Sequence, residues 1–415
     1  MVTSAAQNLT VGTRLALELL LCCARTQMDA ARAERIRALL REELDWDYLL
    51  GTAFRHGMLP LLYWHLNAIC PEAVPKSSLD SLRDGFYTTA WYNLFLTEEL
   101  LKLLKLFAAH NIPAVPFKGP ALAILVYGNL ALRKFGDLDV VVFKRDLLRA
   151  RDLLISRGYK LTTPLDSGQE VDQLLSNFCI LMRHDDRVRV DLQWRIKGRS
   201  FAFALDTAGL QEHLVAVSLA GTTVLTFSPE DLLIVLCVHG SKHLWERLKW
   251  ICDVAELIRV HAGMDWERVM EQASRANSER MLALGLYLAH TLLGATLPEQ
   301  IWRRVQADQV VKSVAAQVHK RLFAEADGLP GDFERFAFYF NTRDGLRGKV
   351  KHCFLYLRRY LCLVMIPSTV EKRLLPLPAS LSFLYYLFRP IRLAVKYVLK
   401  PWKLKNFLPY RIDID

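Results

Sequence analysis

The chain has 415 residues, of which 52% are hydrophobic and 23% are charged. This composition is typical of a globular protein with a large core and excludes an intrinsically disordered chain. The most apolar stretch, Ala379 to Leu399, is interrupted by Arg389, Pro390 and Arg392, so no run of about 20 apolar residues suits a membrane-spanning helix. The N-terminal segment lacks the layout of a signal peptide, and a cytoplasmic location is therefore predicted.

The net charge of +11 is concentrated at the C-terminus. From Gly345 onward there are 14 Lys or Arg residues and 3 Asp or Glu residues, which leaves 40 residues of each sign in positions 1–344. The basic character of the protein therefore belongs to its last segment, and the rest of the chain is neutral.

The predicted elements divide the chain into four regions. Residues 1–110 have apolar positions at three- and four-residue spacing and are predicted to be helical. Residues 111–200 alternate short apolar runs with helices, which predicts a small mixed sheet. Residues 201–330 are predicted to be helical, and residues 331–415 are rich in aromatic and basic residues. The elements predicted in the second region are the strands Ala114–Phe117, Asp137–Phe143, Tyr159–Thr162, Phe178–Arg183 and Val188–Trp194 and the helices Ala121–Tyr127 and Leu147–Arg157.

Three carboxylates are predicted to face one side of this sheet. Because side chains alternate along a strand, Asp137 and Asp139 in Gly136–Val142 point the same way, roughly 7 Å apart. In Val188–Trp194 the same alternation places Asp191 on the face opposite its apolar neighbours. If the two strands are neighbours in register, the three carboxylates converge as metal ligands, and two Mg²⁺ ions (Mn²⁺ is an alternative) would balance their charge and hold the oxygens of a phosphoryl transfer. Asp191 is then the residue nearest the attacking hydroxyl and helps to deprotonate it.

A phosphate-binding element is predicted upstream of these carboxylates. Lys118 and Gly119 lie where a strand ends and a helix begins, and a helix N-terminus is suited to bind an anion. Lys118 adds a positive charge for a triphosphate, and Arg133 is a further candidate.

Two charged residues also have structural interpretations. Arg133 could pair with an aspartate instead of a phosphate. Asp253 lies four residues after Lys249 on the same predicted helix, so we expect the two to form a structural pair.

Two histidines, His239 and His243, share one face of a predicted helix because they are four residues apart. They could pack in the core, or they could line the active site together with Lys242 and Trp245 and contact the nucleotide or the acceptor. A zinc site would need a third ligand at suitable spacing, and the sequence does not offer one.

These residues carry a resemblance to a known family. The motifs are Lys118-Gly119, Tyr127-Gly128, Arg133, Gly136-Asp137-Leu138-Asp139 and Val190-Asp191-Leu192-Gln193-Trp194. They resemble those of a bacterial family of uncharacterised nucleotidyltransferases within the DNA polymerase β-like superfamily. Helical motifs on both sides extend the resemblance over most of the chain, among them Asp45-Trp46, His56-Gly57, His239, His243 and Asp253. The resemblance implies an α+β fold in which a small mixed-sheet polymerase β-like core is flanked by helical regions.

The resemblance also implies the transfer of a nucleoside monophosphate from a nucleoside triphosphate such as ATP. In this interpretation Asp137, Asp139 and Asp191 bind Mg²⁺, and Lys118, Gly119, Arg133, His239 and Lys242 bind the nucleotide. The preferred acceptor is a hydroxyl or phosphate of a small molecule. The alternative acceptors are a protein side chain (AMPylation) and an RNA 3′ end. A different interpretation is that the chain is a non-catalytic protein that keeps the fold as a nucleotide-binding or membrane-associated scaffold.

The basic C-terminal region leaves three interpretations open. Arg358 and Arg359 lie beside aromatic and apolar residues, as do Lys396 and Lys400, which suggests an amphipathic surface. Such a surface could make peripheral contact with an anionic membrane on its cytoplasmic face. It could instead bind nucleic acid through stacked aromatics, which the absence of an RNA-binding motif disfavours, or pack on the protein body with its charges in solvent.

Overall fold

The computed structural model describes residues 10–162, 178–183, 187–194, 213–323, 331–365, 378, 381 and 383–398. The chain divides into two compact units, Met1–Gly331 and Asp332–Asp415. The first unit spans the first three regions predicted from the sequence. An α+β fold is confirmed, because helices surround two small sheets.

The first unit begins with a layer of helices. These helices are α1 (Val11–Cys23), α2 (Ala30–Leu39), α3 (Trp46–His56), α4 (Leu59–Ile69) and α5 (Lys76–Ala109). Helix α3 has clear sequence signals at both ends. The Asp45 side chain accepts a hydrogen bond from the Tyr48 backbone N–H, and Gly57 ends the helix in the left-handed conformation, with φ of 70°.

A five-stranded mixed sheet follows. Its elements are β1 (Ala114–Pro116), α6 (Gly119–Tyr127), β2 (Leu138–Val142), α7 (Leu147–Ser156), β3 (Tyr159–Leu161), β4 (Phe178–Arg183) and β5 (Arg189–Gln193). The spatial order is β1-β2-β5-β4-β3. The β2 and β5 strands run parallel, and all other neighbours are antiparallel. Each predicted strand is present within one residue of its expected bounds, and β4 and β5 pair antiparallel.

One face of this sheet contributes to a hydrophobic core cluster of the unit. Leu138, Val140 and Val142 of β2 are fully buried, and Val190 and Leu192 of β5 lie beside them. Apolar side chains of α5 and α7 complete the same core cluster. Because side chains alternate, this packing turns the acidic residues of β2 and β5 toward the opposite face of the sheet.

A second, two-stranded sheet precedes the remaining helices of the unit. Strands β6 (Leu214–Leu219) and β7 (Thr222–Phe227) form an antiparallel hairpin. The sequence analysis treated residues 201–330 as helical and missed this hairpin. Its signal is local: Ala220 and Gly221 both have positive φ, 48° and 78°, and join two runs rich in Val and Thr, the pattern of a tight hairpin turn.

The first unit ends in a helical region that packs on α6 and on the N-terminal helices. Its helices are α8 (Pro229–Lys242), α9 (Leu248–Val260), α10 (Trp266–Arg275), α11 (Glu279–Leu293), α12 (Glu299–Ala307) and α13 (Gln309–Phe323). Helix α8 starts at Ser228, whose hydroxyl accepts a hydrogen bond from the Asp231 N–H, a standard helix start.

The second unit contains helices α14 (Asp332–Asn341), α15 (Gly345–Met365) and α16 (Leu384–Val398). Helix α15 packs against both α14 and α16. Among the residues described in either unit, no helix is both long enough and apolar enough to cross a membrane.

Candidate active site

Two of the three predicted carboxylates lie side by side. In the parallel pairing of β2 with β5, Asp139 is the direct partner of Asp191, so their Cα atoms are about 4.8 Å apart. Asp137 lies just before β2, two residues before Asp139, and therefore faces the same side of the sheet as Asp139. Their exposed side-chain fractions are 39% for Asp137, 13% for Asp191 and 5% for Asp139. The acidic face therefore runs from an accessible rim to a buried end.

The buried carboxylate, Asp139, has two hydrogen-bond donors. Lys118 Nζ and Gln193 Nε2 each lie 3.1 Å from its Oδ1 atom. Burial raises the pKa of Asp139 to about 6; the charge of Lys118 opposes this rise, and the charges of Asp137 and Asp191 add to it. The ionised form of Asp139 is thus disfavoured by its surroundings, and a bound cation would stabilise it.

Helix α6 begins directly beside the acidic face. Gly119 adopts a positive φ of 54°, and a Cβ atom at this position would come within 3.2 Å of the Asp137 carbonyl oxygen. Glycine therefore permits the close approach of the helix start to β2. Pro120 occupies the first turn, where its missing N–H costs nothing. The N-terminus of this helix, with Lys118 before it, is placed to bind an anion next to the carboxylates.

A residue that the sequence analysis missed, Arg189, also lies on the acidic face. Its Nε and Nη2 atoms donate to Oδ1 and Oδ2 of Asp191 at 3.0 and 3.2 Å, and Nη2 lies 3.9 Å from Oδ2 of Asp137. Strand alternation could have revealed it, because Arg189, Asp191 and Gln193 are two residues apart and share one face. Arg189 and Lys118 are the cations that balance the three carboxylates here.

These side chains are of the type that binds a divalent cation, but their oxygen atoms are not arranged around a single ion position. Carboxylate oxygens are the ligands that Mg²⁺ prefers. In the described part of the chain, no group of three or more His, Cys, Asp or Glu residues is arranged closely enough to hold an ion. Both oxygens of Asp191 instead accept hydrogen bonds from Arg189, and Oδ1 of Asp139 accepts from Lys118, so an ion bound to Asp191 would compete with Arg189. Arg189, with a side chain 45% exposed, has room to move.

Arg133 lies in a different setting from the one expected of a phosphate ligand. Its Nε and Nη2 atoms donate to the two oxygens of Asp253 at 2.7 and 2.9 Å, and Tyr127 donates its hydroxyl to the same carboxylate at 2.7 Å. All three side chains are buried. Arg133 therefore forms a structural pair with an aspartate, but its partner is Asp253 of α9 and not one of the three carboxylates of the acidic face.

The expected pairing of Asp253 with Lys249 is wrong. Asp253 is bound by Arg133 and Tyr127, whereas Lys249 Nζ donates to the Lys134 carbonyl oxygen at 3.3 Å. Burial lowers the pKa of Lys249 to about 8, and the charge of Arg133 adds to this effect. Lys249 is therefore a lysine whose charged form is disfavoured mainly by burial.

His239 of α8 and His243, which directly follows this helix, form an aromatic group with Trp250 of α9. The ring centroids of His239 and His243 are 4.6 Å apart, and each lies within 5.5 Å of the Trp250 ring. Burial and the charge of Lys118 hold the pKa of His239 well below its usual value, with smaller effects from His243 and Lys242. Burial and the positive charges around His239 therefore both favour its neutral form.

Trp245 does not line the site. Its side chain is fully buried and packs against Gly240, where any Cβ atom would collide with the indole ring, and against Gly285, where a Cβ atom would lie 3.1 Å from this ring. It is a core residue, so the interpretation of Trp245 as a contact to nucleotide or acceptor is wrong.

The arrangement defines a class of site: carboxylates on one face of a small mixed sheet, beside a helix start that a lysine precedes. The family model of uncharacterised nucleotidyltransferases matches residues 42–294. The chain belongs to this nucleotidyltransferase family, and the family resemblance seen in the sequence is confirmed.

A solved structure and the curated proteins add little to this assignment. The solution structure of the antibiotic-resistance factor ANT(2'')-Ia is similar to 48% of this chain and to 99% of its own, with 16% identity and a TM-score of 0.32. A similarity of this size does not establish a common fold. No curated protein matches the sequence at a significant level.

Replacing Arg189 by glutamine is expected to strengthen the binding of Mn²⁺ by up to about tenfold, because the substitution removes the cation that occupies Asp191. Mn²⁺ binding can be measured without turnover from the electron paramagnetic resonance signal of the free ion. The exposed Arg157→Gln variant removes the same charge away from the carboxylates and should leave the affinity unchanged. Weaker Mn²⁺ binding in Arg189→Gln would show that Arg189 supports the metal site and does not compete for it.

Proposed function

We propose that this protein is a Mg²⁺-dependent nucleotidyltransferase that moves a nucleoside monophosphate from a nucleoside triphosphate to a hydroxyl or phosphate of a small molecule. The observation that carries the proposal is the direct pairing of Asp139 with Asp191 on parallel strands, next to the start of α6. Asp137, Asp139 and Asp191 would hold the metal ions. Bound Mg²⁺ would supply positive charge to the phosphoryl oxygens and to the attacking and leaving oxygens.

The transfer requires one bond to form and one to break. An acceptor oxygen attacks the α-phosphorus, the bond from this phosphorus to the bridging oxygen breaks, and pyrophosphate leaves. Where the acceptor is a hydroxyl, its proton must pass to a base. Asp191 is the candidate, because it is more accessible than Asp139 and lies at the same level of the sheet.

Positive groups around the acidic face support the binding of a triphosphate. Lys118 precedes the α6 N-terminus, and the charges of Lys118, Lys242 and Lys249 all act on His239. These lysines come from the start of α6, from α8 and from α9, so the sheet and the helical region both supply positive charge to the surroundings of His239. The buried position of Arg133 against Asp253 gives it a supporting role in holding α9 to the core.

The charge balance of the first unit supports a small-molecule acceptor over a nucleic acid. Residues 1–331 contain 38 basic and 37 acidic residues, whereas proteins that bind nucleic acid neutralise its phosphates with an excess of Lys and Arg. The acceptor would therefore be recognised by local contacts within the site.

The proposal is tested by incubating the full chain with Mg²⁺, each α-labelled nucleoside triphosphate in turn, and a cell extract, and then sorting the labelled products by size. We expect label in metabolites, release of pyrophosphate, and loss of both in Asp191→Asn. Label on protein would identify the reaction as AMPylation, and label on RNA would identify it as RNA 3′-end addition. Either result would reject a small-molecule acceptor. If no product is labelled and saturating Mg²⁺ with triphosphate leaves Tm unchanged, the chain is a non-catalytic scaffold.

A further inference from the structure

Helix α15 of the second unit has an apolar face that no described residue covers. Leu346, Val350, Phe354 and Leu357 follow one another at helical spacing and form one stripe. Each of the four side chains is between 58% and 77% exposed. The opposite face of the helix is the packed one, since His352 is buried and its ring stacks on Phe336 of α14 at a centroid distance of 5.0 Å.

Helix α16 repeats this pattern. Phe383 and, within the helix, Leu387 and Ile391 lie four residues apart, and their side chains are between 58% and 62% exposed. Tyr385, on another face, is buried. We call the exposed apolar side chains of these two helices the apolar stripes. A helix of a water-soluble domain normally turns its polar face to solvent. These two helices instead expose apolar side chains.

The same segment carries the positive charge of the protein. Fourteen Lys or Arg residues and three Asp or Glu residues follow Gly345. Arg358 is exposed and lies four residues after Phe354, at the edge of the stripe on α15. An apolar surface bordered by basic residues is the combination with which amphipathic helices bind an interface between water and anionic lipid.

We propose that the apolar stripes dock on an anionic membrane surface, with the helices lying in the plane of the interface. A spanning orientation is excluded for the described helices, because none is long and apolar enough. Charge favours lipid over a second copy of this chain as the occupant: an excess of eleven positive charges on each copy would repel the other, whereas an anionic leaflet attracts it. This surface is separate from the carboxylate site, so the proposal does not depend on transferase activity.

The test is co-sedimentation of the full chain with vesicles of phosphatidylcholine alone or mixed with phosphatidylserine. We expect sedimentation with the mixed vesicles at low salt and little with neutral vesicles. High salt should weaken binding, because ions screen the attraction between exposed charges. The double variant Phe354→Ser, Leu357→Ser should bind at least about tenfold more weakly, because it removes two side chains that would insert into the interface.

The matched control is Trp91→Ser, Leu94→Ser, which removes an aromatic residue and a leucine three positions apart, both exposed, from α5 in the first unit. It should bind vesicles like the unchanged protein. Equal sedimentation of the unchanged protein and the Phe354→Ser, Leu357→Ser variant would overturn the proposal, as would equal binding to neutral and anionic vesicles. A dimer in sedimentation velocity that this variant converts to a monomer, without vesicle binding, would identify a second copy as the occupant and reject the lipid.

Discussion

Replacing Asp139 by asparagine is expected to lower the rate of nucleotidyl transfer by at least about 1,000-fold while the protein remains folded. Lys118 and Gln193 both donate to the same oxygen, Oδ1, and the amide oxygen of asparagine can accept both hydrogen bonds. The substitution therefore keeps the shape and the neighbours of the side chain and removes only the negative charge that would hold a cation. Single-turnover transfer from a labelled triphosphate measures the loss.

The same variant is expected to gain stability relative to the unchanged protein as pH rises. The pKa of Asp139 is raised to about 6 in the folded protein, against about 3.9 in an unfolded chain. A raised carboxyl pKa contributes stability that is complete below the unfolded value and is lost as pH rises through the folded value. The difference in unfolding free energy between the variant and the unchanged protein should thus grow by up to about 3 kcal/mol between about pH 4 and about pH 8.

Urea unfolding at the two pH values, followed by tryptophan fluorescence, gives this difference. The exposed Asp152→Asn variant removes a charge on α7 outside the acidic face and should retain both activity and the original pH dependence. An Asp139→Asn protein that becomes less stable than the unchanged protein toward high pH would show that the carboxylate is stabilised by its surroundings, contrary to the raised pKa.

Replacing Asp253 by alanine is expected to destabilise the first unit by about 3–5 kcal/mol. The substitution leaves the Arg133 guanidinium buried without its counter-ion and removes the acceptor of the Tyr127 hydroxyl. Because Arg133 follows α6 and Asp253 lies on α9, the loss would loosen the helical region from the catalytic sheet. Urea unfolding of the variant and the unchanged protein measures the cost.

The double variant Arg133→Met, Asp253→Leu is the control for this prediction. Replacing both charges with apolar side chains of similar size leaves no unpaired ion, so the double variant should be more stable than Asp253→Ala. If Asp253→Ala lowers the unfolding free energy by less than about 1 kcal/mol, Arg133 must find another partner. Arg133 would then again be a candidate phosphate ligand.

Much of the sheet could be predicted from the sequence because it depends on local alternation. Apolar and acidic residues alternate in the segments of β2 and β5, which fixes the faces of Asp139 and Asp191 once the strands exist. The parallel pairing of these strands could only be assumed, since about fifty residues and two other strands lie between them in the chain. Arg189 obeys the same alternation, so its position on the face of Asp191 could also have been predicted.

The long-range contacts of Arg133 could not be predicted. It pairs with a residue 120 positions away, and nothing local distinguishes a buried arginine that binds a carboxylate from one that binds a phosphate. The Asp253–Lys249 prediction failed for the same reason: spacing of four residues on a helix permits a pair, but the buried guanidinium competes for the carboxylate through two hydrogen bonds. The β6–β7 hairpin, by contrast, had a local signal at Ala220–Gly221.

A crystal structure of the protein with Mg²⁺ and a non-hydrolysable nucleoside triphosphate tests the central claim most directly. The expected result is metal density about 2.1 Å from carboxylate oxygens of Asp137, Asp139 and Asp191, with the Arg189 guanidinium turned away from Asp191 and the triphosphate at the start of α6. A nucleotide bound elsewhere, with Arg189 and Lys118 still paired to the carboxylates, would contradict it.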